Sequence, residues 1–565
     1  MKIKKVSTVV AAILITTVAV IAQQKALEPS AERLQKDVSY LASDALEGRR
    51  TGTKGANEAS RYIADEFSRL KLRHSVQSFP YVAGVELGKG NALTFGPDRT
   101  ALQVGVDWVP LGFSTNGKVV AAPVSVGFGI TASELNHDDY AGVNAKWKIA
   151  IATQGTPDGD NPHGRFFRFE GVRWKAIAAR SAGASALIVV ARDADFKNER
   201  LARLTYDNQG DAGIPVILVS RQGLEKIQAA AEISLSVDVV RKEVPAYNVI
   251  GVLEGSDPVL KNESIVIGAH YDHLGHGGEG SGSLVPDSTE IHYGADDNAS
   301  GTAGVLELAR IFSAQRPKLK RTLIFIAFGG EEEGLLGSNY YVNHPVVPLA
   351  NTVAMINMDM IGRMKDRKLS IGGVGTATEW REMFTQANGF ELTMNEDGLG
   401  PSDHSSFYLK QIPVLFFFTG AHNDYHKPSD TFDKINYADE ARILTLVTQI
   451  VRKMGEAEKR PTYVAVKSSS TPRAGGFRVF VGTIPNYADS TNGLLIDGVR
   501  DDSPAAKAGI KAGDRVVKIG DREIKNVYDY TYALGEMKAG QEYVFEVMRG
   551  NERLSLKVTP EAGRR

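Results

Sequence analysis

Four short apolar runs, SIVIGAH, RTLIFIAF, TVAMINMD and IPVLFFFTG, recur between residues 264 and 420 with helix-like segments between them. Each is strand-length and apolar on both alternations, as expected of a strand buried on both faces. The intervening SGTAGVLELARIFSA and LLGSNYYVNH, and the closing ADEARILTLVTQIVRKM, read as helices. This alternation constrains residues 246–454 to an α/β fold with a mostly parallel twisted sheet flanked by helices.

Residues of metal-ligand type stand just past these runs. They are His270 in IVIGAHYDHLG, Asp297 in GADDNASG, Glu332 in IFIAFGGEEEG, Asp359 in VAMINMDMIG and His426 in DYHKPSDT. Side chains beyond the C-terminal ends of parallel strands converge on one crevice. Two His, two Asp and one Glu would hold a pair of zinc ions there. A pair about 3.5–4 Å apart needs a bridging ligand, which a carboxylate can supply and a His cannot. Asp297, which opens the loop leading into SGTAG, is the expected bridge. The two His are then terminal ligands, one per metal, and Glu332 and Asp359 complete the set.

Asp272, two residues beyond His270, is placed to accept the free ring N–H of that histidine. Glu331 stands beside Glu332 and could take a proton from a water held between the metals and pass it to a leaving amine. Tyr425, next to His426, could donate to a developing oxyanion. His273, His276, His292, His404 and His422 read as rim or supporting residues, Asp296 as a turn residue and Glu333 as a solvated charge. GHGGEG fits a dinucleotide-binding pattern, but the following SGSLVPDST opens no helix, so that reading fails its context.

HYD at 270–272, GADDNASG, GGEEEGLLGS, MINMDMIG and DYHKPSDT resemble, in order and spacing, the secreted co-catalytic zinc peptidases of metallopeptidase family 28, among them bacterial zinc aminopeptidases and glutamate carboxypeptidases. LEGRRTGTKGANEASRYI and SDHSSF resemble further motifs of that family. The resemblance implies His270, Asp297, Glu332, Asp359 and His426 as ligands of two zinc ions per chain, with Asp297 bridging. It also implies Glu331 as general base and Asp272 as the residue that orients His270. WKIAIATQGTP and RWKAIAARSAGASALIVV resemble a protease-associated domain, and SPAAKAGIKAGDRVVKIGDREI resembles a PDZ domain. In the latter, VGTIPNYA departs from the Gly-Leu-Gly-Phe type of carboxylate loop.

The rest of the chain sets the frame. Lys2, Lys4 and Lys5 precede an uncharged apolar stretch to Ala22, with Val20-Ile21-Ala22 at the end, which reads as a secretory signal peptide; an uncleaved signal anchor is the alternative. No other stretch is long and apolar enough to span a membrane. The 565 residues contain no cysteine, which excludes disulfides, thiolate zinc sites and cysteine nucleophiles. A net charge of −1 offers no electrostatic capture of nucleic acid. The expected organisation is a signal at 1–22, a catalytic domain at 23–105 and 241–460, a protease-associated insert at 106–240, a linker at 461–474 and a small β-rich PDZ-like domain at 475–561. The expected protein is an exported, periplasmic or extracellular, di-zinc exopeptidase acting on peptides, with an aminopeptidase favoured. A carboxypeptidase or a single-zinc glutaminyl cyclase on the same scaffold, and a non-catalytic binding protein, remain as alternatives. The PDZ-like domain would offer a place for a peptide or protein partner.

Overall fold

The computed structural model describes residues 28–132, 135–159, 165–166, 169–192, 211–278, 281–285, 287–385, 387, 389–466, 479–485, 493–499, 503–525, 529–530, 533–534 and 537–562. The expected signal segment lies outside them, as does part of the expected linker. No helix among the described residues is long and apolar enough to cross a membrane. The chain divides into two units, Met1–Tyr81 with Pro245–Ser468 and Val82–Val244 with Ser469–Arg565.

The first unit is built on an eight-stranded sheet. Its strands, in chain order, are β1 (Arg73–Leu87), β2 (Val239–Leu253), β3 (Ser264–His270), β4 (Thr322–Phe328), β5 (Thr352–Met358), β6 (Lys368–Gly372), β7 (Glu391–Met394) and β8 (Val414–Phe418). They lie side by side in the order β1-β2-β4-β3-β5-β8-β6-β7. The pairings within β4-β3-β5-β8 are parallel, whereas β2 on β4 and β6 on β8 are antiparallel. The sheet is therefore mixed, and parallel where the apolar runs lie. Every residue of β3, β4 and β5 is buried, which is why these strands show no polar alternation in sequence.

Helices α1 (Ala31–Leu41), α2 (Lys54–Arg69), α3 (Gly301–Ala314) and α5 (Tyr437–Glu456) share one core with the sheet residues of one face. Tyr341 and Val342 of α4 (Leu336–Asn343) pack with a second cluster that includes Ile324, Ile326 and Phe328. Ser30, Thr53 and Asn436 cap α1, α2 and α5 by accepting from backbone N–H groups of the first turn. Helix α3 starts hard against the end of β5: a Cβ on Gly301 would stand 2.4 Å from the Met358 carbonyl oxygen. Only glycine lets the segment bearing Asp297 come that close to the strand bearing Asp359.

Arg49, from the LEGRR loop, is wholly buried behind the strand ends. Its guanidinium donates to the carbonyls of Tyr271 (2.7 Å), Tyr293 (2.8 Å), Gly294 (2.9 Å) and Leu41. One side chain thus ties the turn after β3 to the segment that enters α3. Arg49→Ala leaves these buried carbonyls without their donors, and the expected loss is about 3–5 kcal/mol. The thermal midpoint of the metal-free chain should fall by about 5–10 °C. Arg49→Lys should recover only part of this, since an ammonium lacks the fork; a midpoint unchanged in Arg49→Ala contradicts the role.

In the second unit, residues 92–95, 100–102, 117–121 and 233–237 form a four-stranded sheet, and a five-stranded sheet stands beside it in sequence. Residues 92–102, expected in the catalytic segment, belong to this sheet because 92–95 pair with 233–236. Near the C-terminus, strands Thr483–Pro485, Leu494–Val499, Arg515–Ile519, Tyr543–Arg549 and Glu552–Val558 lie in that order in one sheet around a small apolar core.

Candidate metal centre

The five expected ligands come together at the C-terminal ends of the parallel strands. His270 is the last residue of β3, Asp359 follows β5 directly, and Glu331 and Glu332 lie just past β4. Asp297 sits in the irregular segment Ala295–Ser300 before α3. The ends are locked together by Asn298. Its side chain donates to Met358 O (3.0 Å) and accepts from Gly301 N (2.9 Å) and Met360 N (3.2 Å).

Asp297 faces both histidines. Its Oδ1 is 3.4 Å from His270 Nε2 and its Oδ2 is 3.2 Å from His426 Nε2. Asp359 Oδ1 is 3.5 Å from His270 Nε2, and Glu332 Oε2 is 3.3 Å from His426 Nε2. Ligand atoms about 2.0–2.2 Å from a tetrahedral zinc stand about 3.3–3.6 Å from one another. Three of the four separations lie within that range and the fourth, 3.2 Å from Asp297 to His426, lies just below it, on both sides of one carboxylate. Asp359 Oδ1 is buried and has no hydrogen-bond partner among the described residues, as fits an oxygen aimed at a cation. The donor set and spacing therefore fit two zinc ions.

The electrostatics point the same way. Burial works against a charge on His270, yet the facing carboxylates of Glu331, Asp359 and Asp297 hold it well above the ordinary histidine value. His426, partly buried, is pushed up to about 11 by its hydrogen bonds to Asp297 and Glu332. Burial and the neighbouring Glu332 raise Asp297. Burial raises Glu331 well above a normal glutamate, with Glu332 and Asp359 adding to it and His270 opposing it. So many carboxylates in one buried crevice call for bound cations or bound protons.

Asp272 departs in detail from its expected role. His270 Nδ1 lies 3.2 Å from the backbone oxygen of Asp272, while the nearest carboxylate oxygen is 3.8 Å away. The carbonyl, not the side chain, takes the ring proton. The carboxylate instead accepts from Thr51 Oγ1 (2.7 Å) and from the backbone N–H of Glu331 (3.2 Å). Asp272 thereby braces the turn that carries Glu331. Tyr425 stacks on His426, with ring centroids 3.8 Å apart. Burial and the nearby carboxylates raise its phenol, so the hydroxyl keeps its proton and can donate.

Three further contributors have roles that the sequence does not assign. His273 Nδ1 lies 2.7 Å from Glu332 Oε1, a charge-assisted hydrogen bond rather than a metal-ligand edge. It leaves Oε2 for the His426 side. Asp430 Oδ2 accepts from the backbone N–H groups of Asp296 (2.9 Å) and Asp297 (3.1 Å), holding the segment that bears Asp297. Asp403, from SDHSSF, is fully buried, and burial pushes its carboxyl up to about 7. Asp430 and Asp403 stand inside the DYHKPSDT and SDHSSF motifs, but nothing in the string of residues assigns Asp430 its backbone contacts or buries Asp403. Asp296 is a turn residue as expected, accepting from Gly362 N at 2.7 Å. Glu333 is not a solvated charge: it pairs with Arg50 at 3.3 Å, and its side chain is 18% exposed. His404, expected at the rim or as a supporting residue, is buried and stacked on Phe416 with centroids 4.3 Å apart. His292 is likewise buried.

Residues 248–451 match Peptidase family M28. The chain carries an M28 peptidase domain. Residues 482–559 match a PDZ domain, which covers the small C-terminal sheet. An aminopeptidase of Bacillus subtilis (strain 168), YwaD, is 28% identical over 455 residues, covering 78% of this chain and 88% of its own length. An aminopeptidase of Pseudomonas aeruginosa is 29% identical over 415 residues, covering 69% of this chain and 70% of its own length. The solved structure of BSAP, a zinc aminopeptidase from Bacillus subtilis, superposes with a TM-score of 0.49 at 24% identity, over 76% of this chain and 96% of that one. The M28 match spans the sheet from β2 to β8 and includes every side chain of the crevice named above except Arg49, Arg50 and Thr51.

Proposed function

We propose that the M28 domain is a zinc aminopeptidase that holds two zinc ions and removes N-terminal residues from peptides. The observation that carries the two-ion reading is Asp297, with one oxygen 3.4 Å from His270 Nε2 and the other 3.2 Å from His426 Nε2. His270 and Asp359 would hold one ion, His426 and Glu332 the other, and Asp297 both. Bound there, the ions would polarise the scissile carbonyl and acidify the attacking water. Glu331, braced through its backbone by Asp272, takes the proton from that water and delivers it to the leaving amine. The Tyr425 hydroxyl donates to the oxyanion that forms on the carbonyl. His273 keeps Glu332 turned toward His426. The aminopeptidase assignment, rather than a carboxypeptidase, is supported by the two aminopeptidase relatives that span most of this chain.

The test uses matched peptides with free and acetylated N-termini, before and after chelation. Release of the first residue from the free peptide only, lost on chelation and regained with zinc, is expected. Equal cleavage of both, or release from the C-terminus, contradicts the aminopeptidase reading. Around this centre we place an export signal at 1–22, supported by its basic start and apolar run. The insert is assigned as a protease-associated domain on its motifs. The PDZ domain would take a peptide partner at the edge strand Thr483–Pro485.

A further inference from the structure

His426 lies well beyond the end of β8, so the sheet does not aim it. Its side chain is 13% exposed, and its backbone has φ +52, a left-handed conformation that residues other than glycine rarely hold without support. The support comes from residues 282–284, which lie in no helix or strand. His426 Nδ1 is 2.8 Å from the carbonyl oxygen of Gly282, and Leu284 N–H donates to His426 O at 3.1 Å. A ring N–H given to a carbonyl fixes Nε2 as the nitrogen that can bind a metal. Here that nitrogen faces Asp297 and Glu332.

The segment is pinned in turn. Ser283 Oγ lies 2.8 Å from His292 Nε2, and His292 Nδ1 lies 3.0 Å from Glu290 O. The carbonyl can only accept, so Nδ1 carries the proton and Nε2 accepts from the serine hydroxyl. Ser283 Oγ also accepts from Val285 N–H at 3.0 Å. His292 is fully buried, and its backbone N–H donates to Gly275 O at 2.8 Å. This ties the arrangement to the turn that follows His270. Gly282 has φ +88, so a side chain there would strain the backbone that presents the carbonyl.

We propose that Ser283 and His292 are positioning residues that hold the Gly282 carbonyl against His426 and so set the affinity of the zinc position formed by His426 and Glu332. The proposal rests on the two-ion reading given above. Partners that orient a metal-ligating histidine are worth about 10–100-fold in metal affinity. The clasp touches only one of the two positions, so its loss should be felt by one equivalent of zinc.

The full chain, freed of metal, is titrated with zinc against a chromophoric chelator. Wild type should take two equivalents. Ser283→Ala, His292→Phe and Gly282→Ala should each weaken one equivalent by about 10–100-fold and leave the other near its wild-type affinity. Ser283→Thr, which keeps the hydroxyl, should restore it. The thermal midpoint of the metal-free chain should stay within about 2 °C in Ser283→Ala, which separates ring positioning from general loosening of the loop. Wild-type affinity for both equivalents in Ser283→Ala and Gly282→Ala overturns the clasp while the two-ion reading stands. Equal weakening of both equivalents also overturns it. A wild-type chain that takes fewer than two equivalents overturns the two-ion reading and this inference with it.

Discussion

Glu331→Gln is expected to lower kcat by about 10²–10⁴-fold with zinc content unchanged. That is the range a positioned general base supplies. Glutamine keeps the shape and can still hydrogen-bond, but it cannot take a proton. The backbone N–H of Glu331 goes to Asp272 in either case, so the turn should hold its conformation. The measurement is kcat on a peptide with a free N-terminus, beside zinc content by elemental analysis. Loss of zinc together with rate would make Glu331 a ligand instead of the base, an outcome its place with His270 and Asp359 in one tight group leaves open to test. A near wild-type kcat would falsify the assignment outright.

Asp297→Ala should have the wider effect. The one carboxylate faces His270 on one side and His426 on the other. On the two-ion reading its removal would take a ligand from both positions, so both equivalents of zinc should weaken. In contrast, Asp359→Ala should weaken the equivalent on the His270 side, and a His426 variant the other. Activity of Asp297→Ala should fall by more than about a thousandfold, roughly 4 kcal/mol of transition-state stabilisation. Zinc titration of the three variants is the readout. If Asp297→Ala loses only one equivalent, Asp297 is a terminal ligand and the bridge lies elsewhere.

Much of this centre is legible in the amino-acid sequence, for a local reason. An apolar run long enough for one strand and followed at once by His, Asp or Glu places that side chain at a strand end. Three such runs, those of β3, β4 and β5, lie in parallel register and bring their ends together. His270, Glu331, Glu332 and Asp359 follow from that rule. His426 does not, because its loop leaves β8 and returns under other control. The antiparallel pairings of β2 and β6 are not legible either, since an apolar run carries no mark of its direction. Residues 92–102 fall on the wrong side of the expected domain boundary because their strand has meaning only through its partner at 233–236, far along the chain.

The sequence by itself determined which side chains could form the centre and how strands and helices alternate, because periodicity and residue chemistry are properties of neighbours in the chain. Only the tertiary structure decided how the centre is held. Gly282 O meets His426 across 144 positions, Arg49 reaches Tyr271 O across 222, and Asp430 meets Asp297 N across 133. Each of these contacts has a backbone group on one side. Every residue but proline carries the same N–H, and every residue the same C=O, so nothing in the letters says which of them the fold will bring to a metal-binding crevice.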